Sequence, residues 1–250
     1  MVVTERRDEI LLFEQHEHAK VCGEFAQAWK DEYFDGNEKR ESVLYAIYEH
    51  DNGWIELDQR PLLNKETKLP HSFIDYPLSP KLEAYTKGIN YIEQHDEYAA
   101  LICSLHYASF FERYTNGRGE VFLAQERKRQ RKLLQVLTVE KETLQFHYDL
   151  LQFCDNLSLY LCMNEPGVDK KNEFSWFKRG FQQRFHFNQK RRIIAHWLDK
   201  NTVSVEDFPF SCELTVSMGY KKIKKNRILS LEKEYEAAEN QQRVITLVGG

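Results

Sequence analysis

The residues best suited to chemistry in this sequence are histidines and aspartates that interrupt apolar helical stripes. His18 begins one predicted stripe, His50 ends a second and His106 lies within a third. Asp155 occupies the same kind of position on a fourth. A carboxylate on an apolar face is rare unless it is paired, hydrogen-bonded or bound to metal. The pattern therefore predicts a shared polar site inside the fold.

The adjacent residues His50 and Asp51 give the clearest indication of a metal site. Consecutive residues on a helix point about 100° apart, so both can reach one ion only from the end or edge of a helix. Asn52-Gly53 predicts such an end, because both residues tolerate left-handed dihedral angles. Imidazole combined with carboxylate suits divalent zinc, manganese or iron, and magnesium is a further candidate. We therefore predict a divalent metal ion as cofactor. The predicted ligands are His18, His50, Asp51, His106 and Asp155.

Each of these residues also has a purely structural explanation. A single histidine on an apolar face is usually a core residue whose hydrogen bonds are satisfied, and Asp155 could bond a backbone group. Only the joint pattern favours a site. Four other histidines are interpreted as surface or strand residues, namely His16, His147, His186 and His196.

Three further polar residues are candidates for catalysis beside Asp51 and His106. His71 and Asp75 lie in the loop sequence PHSFIDYP and could act as a general acid or contact a substrate. Glu49 precedes the doublet and could orient a histidine ligand. The alternatives are a polar loop that covers the core and a solvated helical face.

The elements that must position these residues are mostly helices. Hydrophobic periodicity predicts a strand at residues 9–13, then helices, with a long proline-containing loop at residues 55–80. The helices are predicted at about residues 15–34, 40–50, 79–95, 96–114, 120–137 and 138–162. Later strands are predicted at residues 182–187, 193–198, 214–216 and 244–248, and a short helix at 230–238. We therefore expect a mainly α fold, with a helical domain over residues 1–165 and a smaller β-rich extension over residues 166–250 packed on it.

The composition is that of an ordinary soluble protein, and we expect a cytoplasmic location and a small-molecule substrate. The 250 residues carry a net charge of −4, which does not favour nucleic acid as a partner. No apolar run approaches the roughly 20 residues of a membrane helix, and the N-terminus does not resemble a secretory signal. The five cysteines are interpreted as reduced core residues. A homo-oligomer formed through the aromatic-rich extension is left open.

Two basic runs keep a binding or interaction protein as an alternative. RKRQRK at residues 127–132 is interpreted as a solvated helical face, and YKKIKKNR at residues 220–227 as a sheet edge protected by lysines. Contact of either run with an anionic partner is the other possibility.

The order of the site residues resembles the HD superfamily of metal-dependent phosphohydrolases. Its pattern is a histidine on an early helix, a His-Asp doublet on a second and an aspartate on a late one. Here these would be His18, His50-Asp51 and Asp155. The resemblance covers roughly residues 10–165 and implies an HD-like helical bundle. Most of the chain is also similar to a bacterial family of unknown function, through QxxHA, EHDNGW, SLH and CDxLSL segments that begin at Gln15, Glu49, Ser104 and Cys154.

The superfamily resemblance implies a hydrolase that acts on a phosphate ester or nucleotide. In such an enzyme the metal lowers the pKa of water from 15.7 toward about 7, and Asp51 could bridge to a second ion with His106 helping. One departure is Trp54, which stands where many members have a lysine close to the substrate phosphate. This tryptophan could stack on a base or sugar, or simply pack. An HD-type di-iron oxygenase and a non-catalytic binding protein are the alternative functions.

Overall fold

The computed structural model describes residues 1–114 and 116–250, which contain eight α-helices and six β-strands. The helices are α1 (Gln15–Gln27), α2 (Arg40–Glu49), α3 (Ile55–Asp58), α4 (Leu78–His95), α5 (Glu97–Ser109), α6 (Gly117–Val136), α7 (Lys141–Met163) and α8 (Leu231–Ala237). The strands are β1 (Val2–Glu5), β2 (Glu9–Phe13), β3 (Ala195–Trp197), β4 (Thr202–Val205), β5 (Leu214–Lys224) and β6 (Gln241–Gly249).

A six-stranded mixed sheet joins strands from the two ends of the chain. Its order is β1-β2-β5-β6-β4-β3, and each neighbouring pair is antiparallel except β4 with β6. Ile10 of β2 lies opposite Ile223 of β5, so the N-terminal hairpin extends the C-terminal strands. Helix α1 packs against β5, and α7 packs against β1. The sheet therefore forms one wall behind the helices that carry the predicted site residues.

This sheet makes the predicted fold class wrong. The sequence predicts a helical bundle with a small β-rich extension, whereas about 52% of the residues are helical and the curled sheet forms a substantial part of the molecule. The physical reason is that β2 pairs with β5, a strand that is remote in sequence, and strand register depends on such tertiary partners. The division at residue 165 stays a prediction, and both of its ranges contribute strands to the sheet.

Helices α1, α2, α5 and α7 surround one interior volume. Helix α1 packs against α2 and α7, and α5 packs against the same two helices. Helix α5 is buried along most of its length, from Tyr98 to Ala108. Full burial of a large apolar side chain contributes about 1.5–3 kcal/mol, so apolar packing holds these helices together. The histidines and aspartates on their inner faces are consequently enclosed in the same volume.

A close helix crossing positions the turn after the His-Asp doublet. Helix α2 ends at Glu49, and residues Asn52–Trp54 form a short 3-10 helix in which Gly53 does not adopt a positive φ. The expectation of left-handed dihedrals at this turn is therefore wrong. A Cβ on Gly53 would lie 2.2 Å from the carbonyl oxygen of Ala84 on α4, and Gly88 faces the same crossing. Glycine is needed here because the two backbones approach each other so closely.

One prediction of local structure is also wrong. Residues 182–187 form no strand, and the buried rings of Phe181 and Phe185 instead pack against Phe153 of α7. Alternate residues of this segment are buried because an irregular stretch of chain packs against α7. In the basic run at residues 220–227, residues 221–224 pair with β2 on one side and lie beyond the part of β5 that pairs with β6, and residues 225–230 form a short 3-10 helix.

Three further features bear on the sequence-based predictions: the absence of a membrane-crossing helix among the described residues, the basic run on α6 and the burial of the cysteines. Within the described residues, no helix has the length and apolar character needed to cross a membrane. The basic run at residues 127–132 lies on α6, where Arg127 pairs with Glu112 and Arg129 pairs with Glu126. Four cysteines are buried as expected, but Cys212 is exposed.

Candidate metal centre

Four predicted ligands from three parts of the fold meet in the interior. His18 comes from α1, His50 and Asp51 from the end of α2, and Asp155 from α7. His18 Nε2 lies 3.4 Å from Asp51 Oδ2 and 3.2 Å from Asp155 Oδ1. His50 Nε2 lies 3.5 Å and 3.9 Å from the same two oxygens. We call these four residues the inner cluster, since two imidazole nitrogens and two carboxylate oxygens face one small space.

Hydrogen bonds on the outer side of each imidazole fix which ring nitrogen faces that space. His50 Nδ1 lies 2.7 Å from the carbonyl oxygen of Ile47, which can only accept, so Nδ1 carries the proton. Ser158 Oγ donates to the backbone oxygen of His18 and therefore accepts from His18 Nδ1 at 2.8 Å. Both rings consequently present Nε2 to the carboxylates. Such outer hydrogen bonds are typical of metal-binding histidines.

The inward-facing nitrogens have no normal hydrogen-bond partner. Within the described residues, His18 Nε2 and His50 Nε2 are buried and neither makes a hydrogen bond of acceptable geometry. An unprotonated Nε2 and a carboxylate oxygen are both acceptors, so they repel each other in the absence of a cation. The inner cluster therefore requires positive charge, which either protons or a metal ion can supply.

Charges within the inner cluster oppose the effect of burial on each pKa. Burial alone would lower the pKa of His18, but the carboxylates of Asp155 and Asp51 raise it well above its usual range. Burial alone would raise the pKa of Asp155, but His18 and His50 bring it well below its usual range. The pKa of Asp51 is likewise lowered, since His50 and His18 outweigh its burial. Both aspartates are therefore ionised at neutral pH and attract a cation.

Tyr107 and Gln15 restrain the carboxylate of Asp51. The Tyr107 hydroxyl lies 2.6 Å from Asp51 Oδ1, and Gln15 Nε2 donates to Asp51 Oδ2 at 3.2 Å. Sequence reasoning missed the roles of Tyr107 and Ser158. Tyr107 directly follows the predicted ligand His106, and Ser158 lies one helical turn after the predicted ligand Asp155. This closeness in sequence to predicted ligands is the signal that could have identified both residues.

Cys22 is a neighbour of the inner cluster. The ligand atoms of His18, Cys22, His50 and Asp155 lie within 4.8 Å of one another. However, the Cys22 thiol donates to the backbone oxygen of His18 at 3.3 Å, and burial raises its pKa. A neutral thiol is a weak metal ligand. Asp51 is ionised and faces both histidines, so it is better suited than Cys22 to be the fourth candidate ligand.

His106 stands beside the inner cluster and leads into a cavity. Its Nε2 lies 3.8 Å from Asp155 Oδ2, while Asp155 Oδ1 faces the other two histidines. Burial lowers the pKa of His106 to about 4, so its ring is neutral at neutral pH. Asp51 Oδ1 is occupied by Tyr107. If two ions bind, Asp155 is therefore better placed than Asp51 to contact both.

The cavity next to His106 has a volume of about 310 Å³. This is near the lower end of the roughly 300–1,000 Å³ found for small-molecule sites. Asp155 and His106 form part of its wall, and Lys81, Gln152 and Asn156 add polar groups. The rest of its lining is aliphatic and aromatic. The cavity therefore gives a small ligand access to one side of the inner cluster.

The other predicted site residues lie elsewhere. His71 Nδ1 is 3.0 Å from Asp75 Oδ2 on the loop before α4, and both side chains reach solvent. Glu49 is half-buried in the last turn of α2. The structure does not bring these three residues into the inner cluster, and their catalytic or supporting roles stay predictions. Trp54 is fully buried against Tyr76 and Tyr85, so it packs in the core rather than lining the cavity.

Comparison with known proteins identifies a family. Residues 1–225 match the family described as "Protein of unknown function (DUF3891)". No curated protein and no solved structure matches the chain. The match confirms the resemblance to a family of unknown function, and it carries no assignment of activity. It covers most of the chain, including the inner cluster and the cavity wall. The chain therefore belongs to DUF3891, a protein family of unknown function.

Proposed function

We propose that this protein is a metal-dependent hydrolase whose divalent cation is bound by His18, His50, Asp51 and Asp155. The main support is the pair of buried Nε2 atoms that face carboxylate oxygens without a hydrogen bond between them. Two imidazoles and two carboxylates suit Mn²⁺, Fe²⁺ or Zn²⁺, and Mg²⁺ remains a candidate. The order of these ligands along the chain resembles that of the HD superfamily of metal-dependent phosphohydrolases.

The chain itself prepares the inner cluster for a cation. Ser158 and the Ile47 carbonyl orient the two imidazoles, and Tyr107 fixes one oxygen of Asp51. The ligands therefore need little rearrangement when a cation binds, which lowers the entropic cost of binding. A bound divalent cation would supply Lewis acidity and lower the pKa of water toward neutrality.

The cavity determines where a substrate could approach. Asp155 of the inner cluster and its neighbour His106 both form part of the cavity wall. Asp155 has a side-chain exposure of 13%, against 1% for His18, so solvent enters from this side. A substrate in the cavity would place its reacting group against the Asp155 edge. A phosphate ester suits this arrangement because a cation neutralises the charge that builds up on phosphoryl oxygens.

Metal analysis and hydrolysis assays test the proposal directly. The protein should be purified without a metal-binding tag, and its metal content measured for the wild type, His50→Gln and Asp155→Asn. We expect the wild type to carry a divalent metal and to hydrolyse members of a phosphomonoester and phosphodiester panel. Both variants should lose metal and activity, since each removes one ligand.

His71→Gln is the matched control. It removes a histidine that also contacts an aspartate but lies on the exposed loop, so metal content should not change. Wild-type protein that binds no more metal than His50→Gln and Asp155→Asn would contradict the proposal. Iron together with an oxygen-dependent absorption spectrum, and no phosphatase activity, would favour the di-iron oxygenase alternative.

A further inference from the structure

The cavity beside the inner cluster has a single lysine in its wall. Among the described residues that line it, Lys81 is the one ammonium group, and it comes from the first turns of α4. Its Nζ donates to the carbonyl oxygens of Phe73 at 2.8 Å and Ile74 at 3.3 Å. An ammonium has three N–H donors, so one donor remains for a ligand. Burial lowers the pKa of Lys81, while Asp75 partly opposes this effect.

The mouth of the same cavity is unusually apolar for a surface. Ile74, Phe110, Tyr114 and Trp176 line the cavity, and each has between 46% and 49% of its surface exposed. Exposed apolar side chains that gather around a cavity indicate a site that binds an apolar body. Trp176 also lies edge-on to Phe73, with ring centroids 6.4 Å apart. We call the three aromatic residues among the four, Phe110, Tyr114 and Trp176, the aromatic rim.

We propose that Lys81 and the aromatic rim together bind a small aromatic anion, with its charged group at Lys81 and its ring at the rim. The inference rests on the proposed function, because the bound molecule would be the substrate that meets the inner cluster. The inference also predicts the specificity of the site. An anion without an aromatic ring would not contact the rim and would therefore bind more weakly. Neither Lys81 nor the rim belongs to the predicted ligand set.

Binding of non-hydrolysable probes tests this inference without turnover. Phenylphosphonate carries both the ring and the dianion, methylphosphonate lacks the ring, and benzoate replaces the phosphonate by a carboxylate. Titration calorimetry should show that phenylphosphonate binds the wild type more tightly than methylphosphonate. Comparison with benzoate then tells whether the anionic group is a phosphonate-type dianion or a carboxylate. Either preference fits the inference, whereas absence of binding by all three probes overturns it.

Substitutions of Lys81 separate anion binding from loop anchoring. Lys81→Met should weaken phenylphosphonate binding by about tenfold or more, because a hydrogen bond to a charged group is lost. Lys81→Arg should retain most of the affinity. Lys87→Met is the matched control, since Lys87 is exposed on the same helix and pairs with Glu56. Equal binding by the wild type and Lys81→Met would overturn the inference.

Trp176→Ala provides a test that does not depend on Lys81. Because Trp176 is half exposed, its removal should leave the fold intact and reduce the preference for phenylphosphonate over methylphosphonate. An unchanged preference contradicts the assignment of the rim. Metal content is measured on the same samples. Wild type that holds metal but does not bind phenylphosphonate defeats only this inference, whereas wild type that binds phenylphosphonate but takes up no divalent metal defeats only the proposed hydrolase.

Discussion

Two histidine–aspartate contacts of similar length behave differently in this molecule. On the loop before α4, His71 Nδ1 lies 3.0 Å from Asp75 Oδ2; in the interior, His18 Nε2 lies 3.2 Å from Asp155 Oδ1. Asp75 also accepts hydrogen bonds from Ser72 and Asn64. His18 Nε2, in contrast, makes no hydrogen bond of normal geometry within the described residues. The hydrogen bonds of the loop pair are therefore satisfied by the protein, whereas the interior pair leaves His18 Nε2 without a hydrogen-bond partner in the described part of the chain.

The comparison shows that burial and an unsatisfied hydrogen-bonding atom distinguish a candidate metal site better than the distance between histidine nitrogen and aspartate oxygen does. An exposed ion pair contributes about 0–1 kcal/mol, because water screens it and the side chains lose entropy. A buried carboxylate without compensating partners costs several kcal/mol. The loop pair can therefore persist as a local structural contact. The inner cluster persists only if protons or a cation neutralise it.

The largest expected effect comes from displacing Asp51 of the inner cluster while leaving the loop pair in place. In Gly53→Ala the new Cβ would meet the carbonyl oxygen of Ala84, so α4 and the turn that carries Asp51 must separate. We expect the free energy of unfolding to fall by about 3 kcal/mol and metal binding to weaken. Denaturant unfolding and metal titration measure both effects.

Gly219→Ala is the control for this substitution. A Cβ on Gly219 would have only the Gln242 side chain nearby, at 3.6 Å, and Gly219 does not adopt a positive φ. Gly219→Ala should therefore lower the free energy of unfolding much less than Gly53→Ala does. Equal stability of Gly53→Ala and the wild type would show that the crossing of Gly53 with α4 does not position the doublet.

An intermediate effect is expected from the serines that support each pair. Ser158→Ala removes the acceptor that holds His18 Nδ1, so His18 Nε2 is less well oriented. Metal affinity should fall about 10–100-fold, as for other outer hydrogen bonds of metal ligands. Ser72→Ala removes one hydrogen bond to Asp75 and should leave metal affinity unchanged. Calorimetric metal titration of both variants makes the measurement, and equal affinities would refute the distinction between the two pairs.

The smallest effect concerns His147, a buried histidine whose ring nitrogens both have partners. Contrary to the surface interpretation of this residue, it is fully buried; its Nδ1 lies 2.6 Å from the Tyr98 hydroxyl and its Nε2 2.7 Å from the Asp35 carbonyl oxygen. Burial lowers the pKa of His147 below its usual 6.5. As pH falls below about 6.5, the unfolded chain therefore takes up a proton before the folded chain does.

The stabilising contribution of neutral His147 is present above pH 6.5 and is lost as pH falls toward its folded pKa. The loss is at most about 1.4 kcal/mol for each pH unit. His147→Gln should remove this component, so the difference in unfolding free energy between the wild type and the variant should shrink as pH falls. Denaturant unfolding between neutral and mildly acidic pH provides the data, with metal chelated throughout. A difference that is constant with pH would contradict the assigned shift.

The sequence determined which residues occupy the inner faces of the helices. His18, His50 and Asp155 were identified because an ionisable residue on an apolar stripe must be buried when the helix packs, and that consequence needs only the helical period. Most helix bounds followed from the same periodicity, as did β2 at residues 9–13, but α1 ends at Gln27 and α5 at Ser109, not at residues 34 and 114 as predicted. These features are local, so nearby residues are enough to predict them.

Only the tertiary structure decided how distant residues meet. The pairing of β2 with β5 turned an expected helical bundle into a molecule with a large curled sheet. Tyr107, Ser158 and Lys81 acquired their positions beside the inner cluster or in the cavity wall from packing between helices. Contacts between residues far apart in sequence depend on register and helix crossing, which no local pattern specifies. The close approach of the Gly53 backbone to α4 therefore sets the geometry on which the candidate metal centre depends.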